Sequence, residues 1–481
     1  MSNITVLAVD LGAESGRVMA VHFDGRRLSL EQLHRFANPL TTVQGTLHWD
    51  ILHLWREIQL GIEKGKPLKP ESIGVDTCGV DFGLLDQQGH LIGNPVNYRD
   101  RRTDGMMEAV FSKVAKEEVF AHTGVQFISI NTLYHLMSMV ELGSSQLQAA
   151  HTFLTIPDLL NYFLTGAKVC EFSNATTTQL LNPKTGNWAT EMMEQLGIPA
   201  HIFPEVIPSG TRLGSYEGIP VIAPACHDTG SAVAAIPTDT SEFAYISSGT
   251  WSLVGLETPE AIINEEALAI NASNEGGVYG TNRFLKNVMG LWIIQQCRAT
   301  WAQNGDAISY ESLMAMAGDA TPLQSFIFPD DKAFLLPGDH PSIISSFCKN
   351  TGQQVPETKG AVIRCVLESL ALRYREVIES LAVCAGQKVS AINIVGGGSQ
   401  NGLLNQMTAD AMGLPVVAGP VEATVIGNAI VQLITLGELK DHREARQLIA
   451  EWDALQTFEP GDKSRWDNAF ERYNNLERDH Y

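Results

Sequence analysis

Two turns made of small residues between apolar strands are the first candidates for chemistry in this sequence. The first lies at 10–16, where Asp10 ends an apolar run and Gly12, Ser15 and Gly16 follow; the second lies at 247–250. Tight turns of small residues leave backbone N–H groups uncovered to bind phosphate oxygens. A carboxylate beside them holds a cation, usually through its waters. The two turns predict a phosphate site shared by both halves of the chain, although ordinary hairpins use the same residue types.

A histidine–aspartate pair is the second candidate. His227 and Asp228 follow the apolar run 221–225 and precede a small-residue helix. Ligands bind at such strand ends in open α/β sheets. Asp228 also has the residue type of a helix N-cap, and a cap residue at a binding site can serve both purposes.

The third candidate is the glycine run 396–398, which separates the apolar strand 392–395 from a helix over 403–412. Bare backbone at a helix N-terminus suits a phosphate or a flat ring. The run is not a GxGxxG motif, and no acidic residue follows at the distance of a ribose partner. No GxxxxGK[ST] motif is present either, so a P-loop enzyme is not supported.

The elements that must position these residues are predicted from apolar periodicity. Strands are expected over 4–50, followed by a helix that begins after Asp50. Residues 73–86 have the pattern of a strand, a turn and a strand, and Gly79 in the turn allows a ligand to approach the backbone. Asp76 and Asp81 could be ligand contacts or loop acids, and for Asp81 we favour the loop acid. The Pro-, Gly- and Ser-rich stretch 204–220 is predicted to be a loop.

Length and composition restrict the class of protein. The 481 residues suit two large domains, predicted at 1–241 and 242–481. A formal net charge of −21 argues against a nucleic-acid partner. No signal peptide and no apolar run of bilayer length is apparent, so we expect a cytoplasmic protein without a membrane partner. The seven scattered cysteines predict neither a zinc site nor a disulfide framework.

Together these motifs resemble the FGGY family of sugar kinases, within the actin-like ATPase superfamily. The similar segments occur in order over nearly the whole chain: AVDLGAESGRVM at 8–19, IGVDTCGVDFGLLDQQG at 73–89, YRDRRT at 98–103, NATTTQLLN at 174–182, HDT at 227–229, YISSGTWSL at 245–253, NEGG at 274–277, LKNVMGLW at 285–292, GGGSQNGLLNQMTAD at 396–410 and AGPVEATVIGN at 418–428. Each motif is unspecific alone, and their order and spacing carry the resemblance.

The resemblance implies an α/β fold in which two actin-like ATPase (ribonuclease H-like) domains flank a central catalytic cleft. It implies ATP-dependent phosphorylation of a ketose with Mg²⁺, and the most similar branch of the family phosphorylates L-rhamnulose at O1. The partners would be the ketose and ATP, and the chain would be a monomer or a homodimer. A kinase for a related ketose, such as L-fuculose or xylulose, is the second interpretation, and a non-catalytic sugar or nucleotide sensor is the third.

The resemblance also implies roles for individual residues. Asp228 matches the catalytic aspartate, and Asp10 is expected to hold the metal through water. The residues that match sugar contacts are Gly79, His227, Asp228, Thr229 and Asn287. Those that match ATP contacts are Ala13, Glu14, Ser15, Gly16, Arg17, Thr250, Gln295 and Gly397. Cys78 departs from the pattern, because a tryptophan is expected between Thr77 and Gly79.

Overall fold

The structure is a computed structural model that describes residues 4–451 and 455–476. These residues form two compact units. The described parts of Met1–Asp239, Glu257–Phe284 and Glu422–Trp452 make up the first unit, and those of Thr240–Leu256, Leu285–Val421 and Asp453–Tyr481 make up the second. This partition differs from the single boundary expected at 241/242, because two later segments return to the first unit. The division of functions between two domains stays a prediction.

The strands have the following bounds: β1 (Ile4–Leu11), β2 (Ser15–Phe23), β3 (Leu28–Ala37), β4 (Leu40–Val43), β5 (Thr46–Trp49), β6 (Ser72–Thr77), β7 (Phe82–Leu85), β8 (Thr152–Thr155), β9 (Cys170–Glu171), β10 (Leu181–Asn182), β11 (Asn187–Trp188), β12 (Val206–Ile207), β13 (Arg212–Tyr216), β14 (Ile219–Ile222), β15 (Phe243–Ser248), β16 (Trp251–Thr258), β17 (Ser273–Gly276), β18 (Asn282–Met289), β19 (Ala391–Val395), β20 (Val416–Ala418) and β21 (Gln456–Phe458).

The helices have the following bounds: α1 (Ile51–Gly65), α2 (Met106–Phe111), α3 (Lys116–Thr123), α4 (Thr132–Glu141), α5 (Ser145–Ala149), α6 (Ile156–Thr165), α7 (Phe172–Ala175), α8 (Thr190–Leu196), α9 (Asp228–Ala234), α10 (Glu265–Ala269), α11 (Trp292–Gln303), α12 (Tyr310–Asp319), α13 (His340–Asn350), α14 (Lys359–Ala385), α15 (Gly402–Met412), α16 (Ala423–Leu436), α17 (His442–Ala450) and α18 (Lys463–Asn474). No helix of the described residues is long and apolar enough to cross a membrane.

A mixed sheet with the strand order β13-β14-β6-β1-β2-β3 forms the core of the first unit. Strands β1 and β2 form an antiparallel hairpin, whereas β6 runs parallel to both β1 and β14. Every residue of β1 after Ile4 is buried, which is typical of a strand covered on both faces. The predicted strands and the helix after Asp50 are confirmed, and the Asp50 carboxylate accepts the His53 N–H as the cap of α1.

The stretch 204–220 is not the loop that its composition predicted. It contains β12 and β13 and the first residues of β14, and β13 and β14 pair with each other at the edge of the sheet. Gly214 lies in β13, where a glycine is tolerated because this edge strand has a neighbour on one side only.

In the second unit, β15 is the central strand of the sheet. It pairs antiparallel with β16 and parallel with β19, and β19 in turn pairs parallel with β20. The predicted glycine run therefore leaves β19 at the same edge at which β15 enters its turn. The 27-residue helix α14 is capped by Thr358.

Asp81 is a buried carboxyl group that anchors the loop between β6 and β7. Its Oδ2 accepts hydrogen bonds from Trp49 Nε1 at 2.6 Å and from the Tyr98 N–H at 3.1 Å. Burial raises the pKa of Asp81 to about 8, against the effect of these two donors. The structure thus assigns Asp81 the packing role predicted for a loop acid.

The Asp81→Asn variant tests this assignment. A carboxyl group whose pKa is raised on folding stabilises the folded state at low pH, and that contribution is lost progressively as the pH rises from its unfolded pKa to its folded pKa. Relative to wild type, the variant should therefore gain about 1.4 kcal/mol in free energy of unfolding per pH unit between pH 5 and 7. Denaturant unfolding over this range measures the difference. Asp24→Asn, at an exposed carboxylate with a lowered pKa, is the control and should show no such trend; parallel profiles for Asp81→Asn and wild type would show that Asp81 is ionised in the folded protein.

Candidate active site

The carboxyl ends of neighbouring parallel strands bring the candidate residues of the first unit together. Asp10 in β1 is the register partner of Asp76 in β6. One residue further on, Thr77 forms a parallel bridge with His227 and donates its N–H to the Cys226 carbonyl at 2.9 Å. Asp10, Asp76 and the His227–Asp228 step therefore lie together at the carboxyl ends of these strands, as their positions at strand ends predicted.

The carboxyl groups of Asp10, Asp76 and Asp228 influence one another electrostatically at these strand ends. Burial raises the pKa of Asp228; the neighbouring His227 opposes this effect, and the charge of Asp10 adds to it. Burial, followed by repulsion from Asp10, also raises the pKa of Asp76 well above the usual range of an aspartate. Asp76 Oδ2 accepts a hydrogen bond from Asn428 Nδ2 at 2.6 Å, while its buried Oδ1 has no hydrogen-bond partner among the described residues.

Arg17 compensates part of this negative charge. Its Nη2 lies 2.7 Å from Asp10 Oδ2, and its Nη1 forms an ion pair with Glu422. Burial would lower the pKa of Arg17, but the charges of Asp10 and then Glu422 outweigh burial and raise it. Because Arg17 faces Asp10 across the β1–β2 hairpin, this pairing follows directly from the antiparallel register.

The turn between β1 and β2 is held from outside by Asn38. The Gly12 N–H donates to the Ser15 carbonyl at 3.0 Å, and Asn38 Nδ2 donates to the carbonyls of Gly12 and Ala13. Ala13 and Ser15 are half-buried and Glu14 is exposed. Packing alone explains the glycine at position 16, because a Cβ there would lie 2.5 Å from the Phe36 ring.

Gly79 lies in a constrained loop directly after the carboxyl end of β6. A Cβ on Gly79 would lie 2.9 Å from Thr177 Oγ1, which also accepts the Val80 N–H at 3.0 Å. Val80 has a φ of 69°, an unfavourable angle for a β-branched residue. Cys78 is half-buried; burial raises the pKa of its thiol, and the charges of Asp228 and Asp81 raise it further. Cys78 therefore remains a neutral thiol within electrostatic range of Asp228.

His227 contacts two charged residues that sequence reasoning did not select, Arg283 and Glu275, as well as Asp228. Its Nδ1 lies 2.9 Å from Arg283 Nη2 and 3.2 Å from Glu275 Oε2, and its Nε2 lies 3.4 Å from Asp228 Oδ1. Asp228 Oδ1 also accepts a hydrogen bond from Thr229 Oγ1 at 3.1 Å. Burial would raise the pKa of Glu275, but the charge of Arg283, with help from His227, outweighs burial and lowers it. The available signal was a charged residue at 283 directly before the apolar pair Phe284 and Leu285.

Glu171 is a second buried residue that the sequence did not reveal. Its Oε2 accepts hydrogen bonds from the N–H groups of Ser173 and Cys226 at 3.0 Å and from Ser173 Oγ at 2.5 Å. Ser173 Oγ in turn accepts the His227 N–H at 3.1 Å. One buried carboxylate therefore connects the segment that begins at Glu171 to the strand end that carries His227.

In the second unit, the turn after β15 gathers two of the predicted nucleotide contacts. The Thr250 carbonyl accepts the N–H groups of Gly290 and Trp292 at 3.1 and 3.3 Å, so the turn lies against the start of α11. Gln295 is in the first turns of that helix, and its Oε1 is buried without a hydrogen-bond partner among the described residues. Thr250 and Gln295 are therefore brought to the same part of this unit.

The glycine run contacts the same turn. A Cβ on Gly398 would collide with the Ser248 side chain, and Gly396 has a φ of 81°. Gly397, in contrast, is exposed, and a Cβ there would meet nothing within 4 Å. The positive φ explains Gly396 and packing explains Gly398, whereas Gly397 leaves open space beside the backbone.

Asn287 is half-buried in β18, three residues before Gly290. Its neighbour Met289 donates its N–H to Asp330 Oδ1 at 2.8 Å, which fixes the end of the strand. The structure thus places Asn287 on the strand that leads into the Thr250 turn contacts.

Comparisons with known proteins agree with this arrangement. The model of the N-terminal domain of the FGGY family of carbohydrate kinases matches residues 5–230, and that of the C-terminal domain matches residues 244–436. These matches confirm the predicted family resemblance and two-domain α/β fold.

Individual proteins are similar over almost the full chain. A rhamnulokinase of Bacteroides thetaiotaomicron is 44% identical over 98% of this chain and 99% of its own length. A rhamnulokinase of Mannheimia succiniciproducens is 42% identical over 95% of each chain. Among solved structures, ligand-bound xylulose kinase from Lactobacillus acidophilus has a TM-score of 0.80 at 15% identity, covering 98% of this chain and 97% of the other.

Proposed function

The chain belongs to the FGGY family of carbohydrate kinases, and on this premise we propose that it transfers the γ-phosphoryl group of ATP to O1 of L-rhamnulose. The observation that carries the chemistry is Asp228, a carboxylate with a raised pKa at the strand end beside His227. The choice of ketose rests on the similarity to two rhamnulokinases over nearly the whole chain. The proposal includes a cytoplasmic location and a monomeric or homodimeric chain.

Asp228 acts as the general base in this proposal. Its Oδ1 is engaged by Thr229 and lies near His227, so Oδ2 takes the proton of the sugar hydroxyl. A base is most effective when its pKa approaches the working pH, and partial burial shifts the pKa of Asp228 in that direction. The O1 oxygen then attacks the γ-phosphorus and ADP leaves, in a reaction that depends mainly on positioning and charge stabilisation.

The sugar is held by groups of two kinds. We propose that the Gly79 backbone contacts the sugar, while Thr177 fills the space on its side-chain face. His227, Thr229 and Asn287 supply polar side chains. Cys78 is smaller than the tryptophan expected there, so we propose that the pocket also accepts neighbouring ketoses.

The residues present fit ATP and Mg²⁺. Buried Asp76 Oδ1 and Gln295 Oε1 lack partners among the described residues, and the exposed backbone at Gly397 is open. We propose that Ala13, Glu14, Ser15, Gly16, Arg17, Thr250, Gln295 and Gly397 bind ATP, and that Asp10 holds Mg²⁺ through water. No three His, Cys, Asp or Glu side chains in 4–451 and 455–476 form a metal-binding group. Protein-bound Mg²⁺ is commonly held by one or two carboxylates, phosphate and water, and when bound it neutralises phosphate charge.

The substrate assignment is tested by ADP release from a panel of purified ketoses. L-Rhamnulose should give the highest kcat/KM, and L-fuculose and xylulose should be slower. A pentulose is one carbon shorter than L-rhamnulose, and a pocket separates substrates that differ by one methylene by about 10–200-fold, so measurable activity on xylulose is expected. A higher kcat/KM for a pentulose would assign the enzyme to that sugar instead.

The general-base role of Asp228 is tested by Asp228→Asn, which keeps the shape of the side chain and removes its basicity. Turnover should fall by about 10²–10⁴-fold, while ATP binding measured by calorimetry stays within a few-fold of wild type. Asp410→Asn is the control, because Asp410 is a half-buried carboxylate in the second unit that accepts the Gly461 N–H. A kcat within a few-fold of wild type for Asp228→Asn would remove Asp228 from this role.

The metal role of Asp10 is tested by Mg²⁺ titration of Asp10→Asn. Chelation should stop turnover of the wild type and Mg²⁺ should restore it, whereas the variant should need about tenfold more Mg²⁺ for half-maximal activity, a loss of about 1.4 kcal/mol in affinity. Glu422→Gln is the matched control, since it removes the other carboxylate of Arg17 and leaves Asp10 in place. Equal Mg²⁺ dependence of Asp10→Asn and wild type would locate the metal elsewhere.

A further inference from the structure

Arg283 is fully buried, and its guanidinium group has only a few polar neighbours. Its Nε donates to the Gly276 carbonyl at 2.9 Å. Its Nη2 lies 2.9 Å from His227 Nδ1 and 3.0 Å from Glu275 Oε2. Its Nη1 is buried and has no hydrogen-bond partner among the described residues. A buried arginine with an unused donor is costly, so packing alone does not explain its presence.

The contact with Arg283 determines where the proton of His227 resides. A guanidinium nitrogen donates hydrogen bonds and cannot accept them. With Nη2 at 2.9 Å, His227 Nδ1 must therefore act as the acceptor, and the proton of the neutral ring must be on Nε2. Glu275 Oε2, at 3.2 Å from Nδ1, competes for the same atom. Arg283 Nη2 is closer to His227 Nδ1 and to Glu275 Oε2 than these two atoms are to each other. Its hydrogen bond is made with Nδ1, whereas Glu275 Oε2 has no hydrogen-bond partner among the described residues and acts through its charge.

The location of this proton matters for Asp228. His227 Nε2 lies 3.4 Å from Asp228 Oδ1, longer than a strong hydrogen bond. An N–H at this position presents a donor to a sugar hydroxyl and to the Asp228 carboxylate. In the other tautomer, Nε2 would carry a lone pair that repels the Asp228 carboxylate, and His227 would offer no donor to the sugar. The protonated Nε2 leaves Asp228 as the base that faces the hydroxyl.

We propose that Arg283, charge-balanced by Glu275, is a positioning residue that fixes His227 in the Nε2–H tautomer and thereby keeps a hydrogen-bond donor directed at the sugar. The kinetic part of this inference rests on the proposed function, since it takes His227 as a sugar contact. The structural part concerns the tautomer alone and is independent of which ketose is the substrate.

The tautomer is measured by ¹⁵N NMR on the full chain labelled with [¹⁵N]histidine, in the absence of sugar. Protonated and unprotonated ring nitrogens have well-separated shifts, and His227→Asn identifies the signals of this residue among the 13 histidines. Wild type should show a protonated Nε2 and an unprotonated Nδ1. The double variant Glu275→Met/Arg283→Met removes both charges together and so leaves no unpaired buried charge that would prevent folding. In it, the His227 signals should shift towards a mixture of tautomers.

The kinetic consequence is a change in sugar binding. On the best ketose of the panel, the double variant should raise KM for the sugar about tenfold, as expected for one lost hydrogen bond. Its kcat and its KM for ATP should stay within about threefold, because the interaction is made in the ground state and the transition state alike. Arg283→Lys, which keeps the charge but offers a point donor, should give an intermediate KM.

A double-mutant cycle separates positioning from a merely structural role. In His227→Gln the side-chain amide has its own donor, which does not depend on Arg283. Removing the Arg283–Glu275 pair in this background should therefore leave the sugar KM unchanged, whereas a structural role would give the same tenfold increase in both backgrounds. Arg446→Met is the matched control, because Arg446 forms a similarly buried ion pair with Glu257 at 2.5 Å. It should lower stability without changing the sugar KM.

Two results would overturn the inference. The first is a wild-type His227 protonated at Nδ1, and the second is a KM increase that is additive with His227→Gln. If the NMR spectra show the expected tautomer and its loss but no ketose of the panel is phosphorylated, the proposed function fails while the structural role of Arg283 stands.

Discussion

The parallel pairing of β1 with β6 is the constraint on which the candidate site depends. It places Asp10 directly beside Asp76, and the bridge from Thr77 to His227 extends the alignment to Asp228. A slip of one residue would turn these side chains to the opposite face of the sheet. Burial raises the pKa of Asp76 and of Asp228, and the charge of Asp10, which the same register places beside them, adds to this effect. Arg17, fixed opposite Asp10 by the hairpin, supplies the compensating positive charge.

Local patterns in the sequence were sufficient to predict the strand ends and the turns. Asp10 and Asp228 follow apolar runs, and a strand of buried residues must end where the polar residues begin. Arg283, Glu275 and Glu171 were not found, because their partners lie far away in the chain. Arg283 and His227 are 56 positions apart, and Glu171 and Cys226 are 55 positions apart. The segment 204–220 was wrongly predicted to be a loop, since composition alone does not show that an edge strand has a neighbour.

The glycines of the site show why a motif does not translate residue by residue into ligand contacts. Gly16 makes room for Phe36, and Gly398 makes room for Ser248. Gly397 lies against open space, so it is the member of its run with backbone available to a ligand. The sequence presents all of these positions as equivalent small residues, and the distinction depends on neighbours that only the folded chain defines.

The return of α16 to the first unit has a consequence for how this chain is made. Asn428 and Gln432 of that helix bond to Asp76 and Ser72, across 352 and 360 positions of sequence. The ribosome therefore synthesises β1 and β6 long before it synthesises α16, the helix that covers them. The polar side chains of Ser72 and Asp76 make the uncovered face of these strands less apolar. An entirely aliphatic face would be prone to aggregate with other nascent chains. The groups that bond to a late-made helix in the folded protein are thus the same ones that add polar surface to these strands before that helix is made.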